Sequence, residues 1–183
     1  MGLGALIPFA TPPDWYAWLE ANQSESEVWV LYSKKGSGTP SITWQQAVVE
    51  ALCWGWIDGI SKSVSETQWK QRFTPRKPGS GWSQINVAHA ERLIAEGRMQ
   101  PAGHAAIAVA KANGNWERAY SGGKGAELPP DFLEALTLAN LPVPADTKTR
   151  YAIYYRLTTA KRPETRAKRI ADFIAKLSTG APL

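Results

Sequence analysis

Hydrophobic and polar positions change period along the chain, and each change marks an element. Thr11 offers an N-cap, Pro12 and Pro13 suit a first helical turn, and Trp15, Trp18 and Leu19 share one face, so the spacing predicts a helix from about Pro12 to Asn22. Glu27 to Tyr32 is β-branched and aromatic and reads as a strand ending at Lys34-Lys35-Gly36. Thr43 caps the next helix, where Ala47, Val48, Ala51 and Leu52 repeat at three-to-four spacing until Gly55. Trp56 to Ile60 opens a second strand. In a third, Trp69, Gln71 and Phe73 alternate with Lys70, Arg72 and Thr74 until Pro75 breaks the ladder. Beyond it the chain reads as helical. Ser83 caps a helix running to Gly97, Pro101 to Ala112 is Ala-rich, Pro129-Pro130-Asp131 starts another helix, and two more fill the tail. Gly36 to Pro40 and Ser121 to Gly125 read as loops.

Three early strands followed by helices predict an α+β fold, a small mainly antiparallel sheet covered by helices, with a helical C-terminal half. With 183 residues, 44% hydrophobic, one folded domain is expected. Charge and aromatics divide the chain. Residues 1–143 carry a net charge of −1 and residues 144–183 carry +6, while all nine Trp lie between Trp15 and Trp116. The expected organisation is therefore a Trp-rich body, 1–143, with a basic helical segment, 144–183, packed on the same domain. The single Cys53 forms no internal disulfide and fits a reducing compartment. The first ten residues lack Lys and Arg and contain Gly4 and Pro8, which does not match a secretory leader, and no stretch reaches the ~18 apolar residues of a membrane span. The expectation is a cytoplasmic protein without a membrane span.

The densest patch of chemistry-bearing residues runs Trp54-Gly55-Trp56-Ile57-Asp58-Gly59, then Arg72-Phe73-Thr74-Pro75-Arg76, then Trp82-Ser83-Gln84-Ile85-Asn86. Each lies at a break between elements. The predicted binding residues are Trp54, Trp56, Asp58, Arg72, Arg76, Trp82, Ser83 and Asn86: indoles wall a cavity and the polar groups converge in it. The structural alternative is a corner in which Asp58 caps a turn or pairs with Arg76. These stretches, with Leu93 to Met99, Pro101-Ala102-Gly103 and Thr159 to Ile170, resemble the YdeI/OmpD-associated, or bacteriocin-protection, family in register over nearly the whole chain. The resemblance implies a soluble bacterial protein linked to protection against bacteriocins or cationic antimicrobial peptides, with no agreed reaction and no established catalytic residues. The name points to a porin, yet the chain lacks the alternating ten-residue segments of a barrel, so any such association is indirect.

The leading functional expectation is binding of a small molecule or cationic peptide in a Trp-lined cleft, without an established reaction. Cation–π contact and Asp58 favour a cationic ligand, and the net charge of +5 opposes it. One alternative is an enzyme using Asp58 as general base and Arg76 to steady developing negative charge. Another is a nucleic-acid accessory protein binding through residues 148 to 176, but the apolar stripe Ala167, Ile170, Ala171, Ile174 and Leu177 reads better as a docked amphipathic helix with a solvated basic face. Tyr151, Tyr154 and Tyr155 read as packing. Cys53 reads as inert core, His89 and His104 lack metal-ligand spacing, and Ser83, His89 and Asp58 form a triad only on paper. Lys34 to Ser41 lacks the ordered ending of a phosphate loop and reads as a surface loop. No cofactor or metal is expected; ligand identity and oligomeric state are left open.

Overall fold

The computed structural model describes residues 4–121 and 127–182. They form two compact units, the described residues up to Trp82 with Asn86–Arg118, and Ser83–Ile85 with the described residues from Ala119 onward. The charge boundary at 143/144 falls inside the second unit. Of the expected loop at Ser121 to Gly125, only Ser121 is among the described residues.

The first unit contains a four-stranded sheet, β1 (Leu6–Pro8), β2 (Val28–Ser33), β3 (Trp56–Ser63) and β4 (Gln68–Pro75), in the order β1-β2-β4-β3. Three strands were legible in the pattern. β1 is too short to show a period, and Pro8, which donates no ladder bond, is tolerated there because β1 is an edge. It runs parallel to β2, whereas β2–β4 and β3–β4 are antiparallel, so the fold is α+β with a mixed sheet. A register shift between Asp58 and Ser61 bends β3.

Alternation places Val28, Val30, Tyr32, Gln71 and Phe73 on one face of the sheet. The helices α1 (Pro12–Ala21) and α2 (Trp44–Cys53) belong to that side, each opened by a capping box, Thr11 with Asp14 and Thr43 with Gln46. Trp15 joins both layers. Its ring meets Phe73 with centroids 5.4 Å apart, and its indole N–H donates to the Ala47 carbonyl at 3.0 Å, so this fully buried side chain satisfies its polar atom inside the core. The opposite face carries Trp29 beneath the ammonium groups of Lys62 and Lys70, at 5.6 and 4.8 Å from its ring centroid, and the Arg72–Glu27 ion pair.

The helices α3 (Gln84–Ala95) and α4 (Pro101–Ala112) follow. α4 meets the end of α2 at backbone distance. Gln100 N–H donates to the Cys53 carbonyl at 3.0 Å, Arg98 donates to both carboxylate oxygens of the buried Glu50 at 2.7 Å, and Gly103 lies directly against Cys53.

In the second unit, α5 (Pro130–Leu138), α6 (Thr147–Thr158) and α7 (Pro163–Thr179) enclose Leu128, Phe132, Leu136, Ile153, Leu157 and Phe173. The buried stripe of α7 differs from the expected one. Phe173 is its buried centre, flanked by Ile170, Ile174 and Leu177, while Ala167 and Ala171 are exposed. The larger side chains win the interface because each buries more apolar area. Tyr154 accepts the Ser121 N–H at 2.7 Å and Tyr155 meets Tyr120 edge-on at 5.1 Å, which are packing roles.

A Cβ at residue 103 would collide with the Met99 sulfur and the Cys53 carbonyl and stand 2.9 Å from the Leu52 carbonyl. Two of these three obstacles are backbone. Gly103→Ala is therefore expected to destabilise by about 1–3 kcal/mol despite the better helix propensity of Ala. A lowered denaturant midpoint with an unchanged slope checks this, and an unchanged midpoint contradicts the close approach.

Candidate functional site

The site grows from the turn between α2 and β3. α2 ends at Cys53, where the Trp54 N–H closes back on the Ala51 carbonyl at 3.2 Å and the Gly55 N–H on the Leu52 carbonyl at 3.1 Å. Gly55 then takes φ +72, where a Cβ would also stand 2.7 Å from the Ala102 carbonyl oxygen. A side chain is excluded there twice over, by conformation and by space. The Gly55 carbonyl accepts the Arg76 N–H at 2.9 Å, which ties the end of β4 to the same turn.

These constraints leave a cleft of about 330 Å³. Trp54, Gly55 and Trp56 form one wall, Pro75, Arg76 and Pro78 a second, and Ala102, Ala105, Ala106 and Val109 of α4 a third, with Gln23 at the edge. The small α4 side chains keep the space open. Among these lining residues Arg76 is the sole ionisable group. Trp54 is only 6% exposed, and its indole nitrogen is buried with no hydrogen-bond partner among the described residues. Such an orphan donor costs roughly 1–3 kcal/mol.

Of the eight residues singled out in the sequence, the cleft brings together Trp54, Trp56 and Arg76. Trp82 stands behind Arg76, its ring centroid 3.6 Å from the guanidinium carbon, while Arg76 Nη1 donates to the Gly81 carbonyl at 3.0 Å. Asp58 is outside the lining. Its Oδ2 accepts from the Trp44 indole at 3.1 Å and from Gln71 Nε2 at 3.2 Å. Burial pushes its carboxyl above the ordinary carboxylate range, against the lowering effects of the Trp44 bond and the Arg76 charge. Arg72 points to the other sheet face, where its Nε donates to Glu27 at 2.8 Å. Ser83 belongs to the second unit, where it pairs with Tyr120, and Asn86 lies in the first turns of α3, outside the lining. Composition alone did not reveal the α4 alanines, since they carry no chemistry and act only by being small. Cys53 is fully buried, its thiol pushed up to about 11 by burial, so little thiolate forms at neutral pH.

Comparison with known families divides the chain in the same region. Residues 7–106 match the model described as Domain of unknown function (DUF8412), which spans more than half of the 183 residues. The chain belongs to the DUF8412 family. The whole cleft except Val109 lies within the DUF8412 match. Residues 146–180 match a second model, Bacteriocin-protection, YdeI or OmpD-Associated. That likeness covers α6 and α7 and includes the Thr159 to Ile170 motif. It does not run over nearly the whole chain, because the motifs at 54–59, 72–76, 82–86 and 93–103 fall in the DUF8412 segment. No curated protein and no solved structure matches this DUF8412 chain.

The raised carboxyl of Asp58 sets a pH dependence. Its contribution to stability is complete below the ordinary Asp pKa and is lost as pH rises through the raised folded-state value. Glu27 and Asp131, held low by Arg72 and Arg166, titrate in the opposite sense and are common to wild type and variant. The stability of Asp58→Asn relative to wild type should therefore rise with pH across that window and level off above it. Urea denaturation from about pH 3 to pH 8 measures the difference; a pH-independent difference contradicts a raised Asp58.

Proposed function

We propose that the protein is a bacteriocin-protection-type binding protein that holds a small, largely apolar molecule in the Trp54–Trp56–Arg76 cleft without transforming it. The orphan indole N–H of Trp54 carries this reading: a buried, unpartnered donor on a side chain that lines an apolar cleft gains most from a ligand that brings an acceptor. The lining supports binding over turnover, because its members offer no carboxylate, imidazole, thiol or hydroxyl to move a proton or attack a bond. It also favours a neutral or anionic ligand over a cationic peptide, since Arg76 supplies the local charge and Asp58 is turned to Trp44 and Gln71. Protection then acts by retention of a compound bearing a carbonyl or carboxylate. The match at residues 146–180 supplies the link to protection, and the free, buried Cys53 fits a cytoplasmic setting.

Benzoate, phenylacetate and 3-phenylpropionate are suitable probes because each pairs an apolar ring with an acceptor. At least one should shift the Trp54 indole N–H resonance in a saturable manner, and Ala106→Leu, which fills the cleft from α4, should weaken that binding about tenfold or more. Absence of a Trp54 shift with all three at millimolar concentration contradicts the proposal.

A further inference from the structure

A second cavity, about 730 Å³, lies under the loop that joins β2 to α2. Its lining includes Tyr32 and Trp69, loop residues Lys34 to Thr43, and Trp44 at the first position of α2. Tyr32 is 2% exposed, yet its hydroxyl has no hydrogen-bond partner among the described residues. A buried phenol normally finds one. Burial, and then the charge of Asp58, raise its pKa, so the hydroxyl is a neutral donor throughout the physiological range.

Aromatic surface and positive charge meet at the same place. Tyr32 and Trp69 stack with centroids 4.3 Å apart and planes 12° from parallel. Trp44, 41% exposed, is pinned at its nitrogen by Asp58 while much of the ring stays open to solvent. The ionisable groups of the lining other than Tyr32 are Lys34 and Lys35, both exposed and both cationic. α2 begins here with no acidic residue in its first turn, so its N-terminal dipole adds to the lysines.

We infer that this cavity binds a planar aromatic monophosphate, its ring against Trp44 and within reach of the Tyr32 hydroxyl, its phosphate at Lys34, Lys35 and the start of α2. The volume lies in the range of small-ligand sites. Base-like rings stack on indoles whatever their substituents, and the flexible ammonium groups suit a phosphate as point charges. This site shares no lining residue with the Trp54 cleft and stands independently of it.

Calorimetric and NMR titrations with AMP, phenyl phosphate, adenosine and inorganic phosphate test the assignment on the full chain. Both aromatic phosphates should bind and move the Trp44 indole N–H signal, with adenosine and inorganic phosphate each at least about tenfold weaker. Lys34→Ala/Lys35→Ala should weaken AMP about tenfold and flatten its salt dependence. Tyr32→Phe should weaken AMP about threefold to tenfold while its thermal midpoint stays level or rises, because the change deletes an unsatisfied buried hydroxyl. Failure of both aromatic phosphates at millimolar concentration, inorganic phosphate binding as tightly as AMP, or AMP affinity unchanged in Tyr32→Phe would each overturn the inference.

Discussion

The approach of α4 to the end of α2 is closer than a Cβ allows, and the cleft exists because two glycines permit it. Gly103 brings the α4 backbone against the Leu52 and Cys53 carbonyls, and Gly55 makes room for the Ala102 carbonyl while turning the chain from helix to strand. The Gln100–Cys53 backbone bond and the Arg98–Glu50 pair hold the same approach from the residues that lead into α4. Breaking a pair that leaves Glu50 buried would cost more than the pair contributes when made. The cleft wall is thus fixed by backbone proximity, and Trp54, Trp56 and Arg76 face a surface of small side chains at a set separation.

Tryptophan serves four distinct roles in this fold, decided by what each N–H and each ring face meets. Trp15 is core because its N–H reaches Ala47. Trp82 is a platform because Arg76 lies over its ring. Trp29 is buried beneath two lysine side chains on the opposite sheet face. Trp54 is the exception, with an indole nitrogen left without an acceptor, and Tyr32 repeats that exception on the sheet. Native interiors tolerate few such atoms. Both orphans belong to side chains that line cavities, whereas the nitrogens of Trp15 and Trp44 are satisfied. Asp58 stands between the two regions: it holds Trp44 by its nitrogen and senses Arg76, so one carboxyl couples electrostatically to both cavities without lining either.

Most of the fold was legible because local signals agreed with tertiary packing. Thr11 and Thr43 start their helices as capping chemistry requires, and Gly55 ends α2 where the periodicity stops. β1 was hidden because three residues cannot establish a period. The site was half legible. Trp54, Trp56 and Arg76 converge as their positions at element breaks suggested, but Arg72 does not, and the alternation of β4 already placed it on the face opposite Gln71 and Phe73. Asp58 was associated with Arg76 by sequence proximity of motifs, whereas its hydrogen bonds come from Trp44 and Gln71, one from the other end of α2 and one across the sheet. The α4 wall and the orphan hydroxyl of Tyr32 follow from long-range packing, which no local pattern encodes.

The basic C-terminal segment shows why charge density alone is a poor guide to partners. Arg166 forms a two-point ion pair with Asp131 and also donates to the Leu157 carbonyl at 2.6 Å, while Arg169 donates to the Arg156 carbonyl. These guanidinium groups cap the last turn of α6, where the carbonyls lack helical partners and the dipole is negative. They are committed to joining α5, α6 and α7 before any phosphate is considered. The same geometry limits what the match at residues 146–180 conveys. Of the buried cluster in this unit, Ile153, Leu157 and Phe173 lie inside the match, whereas Leu128, Phe132 and Leu136 lie before it, as does Asp131. The matched helices therefore depend on α5 and the preceding Leu128 for half of that buried cluster, and on α5 for the carboxylate that pairs with Arg166, and they are one part of a packing unit rather than a module whose role transfers whole.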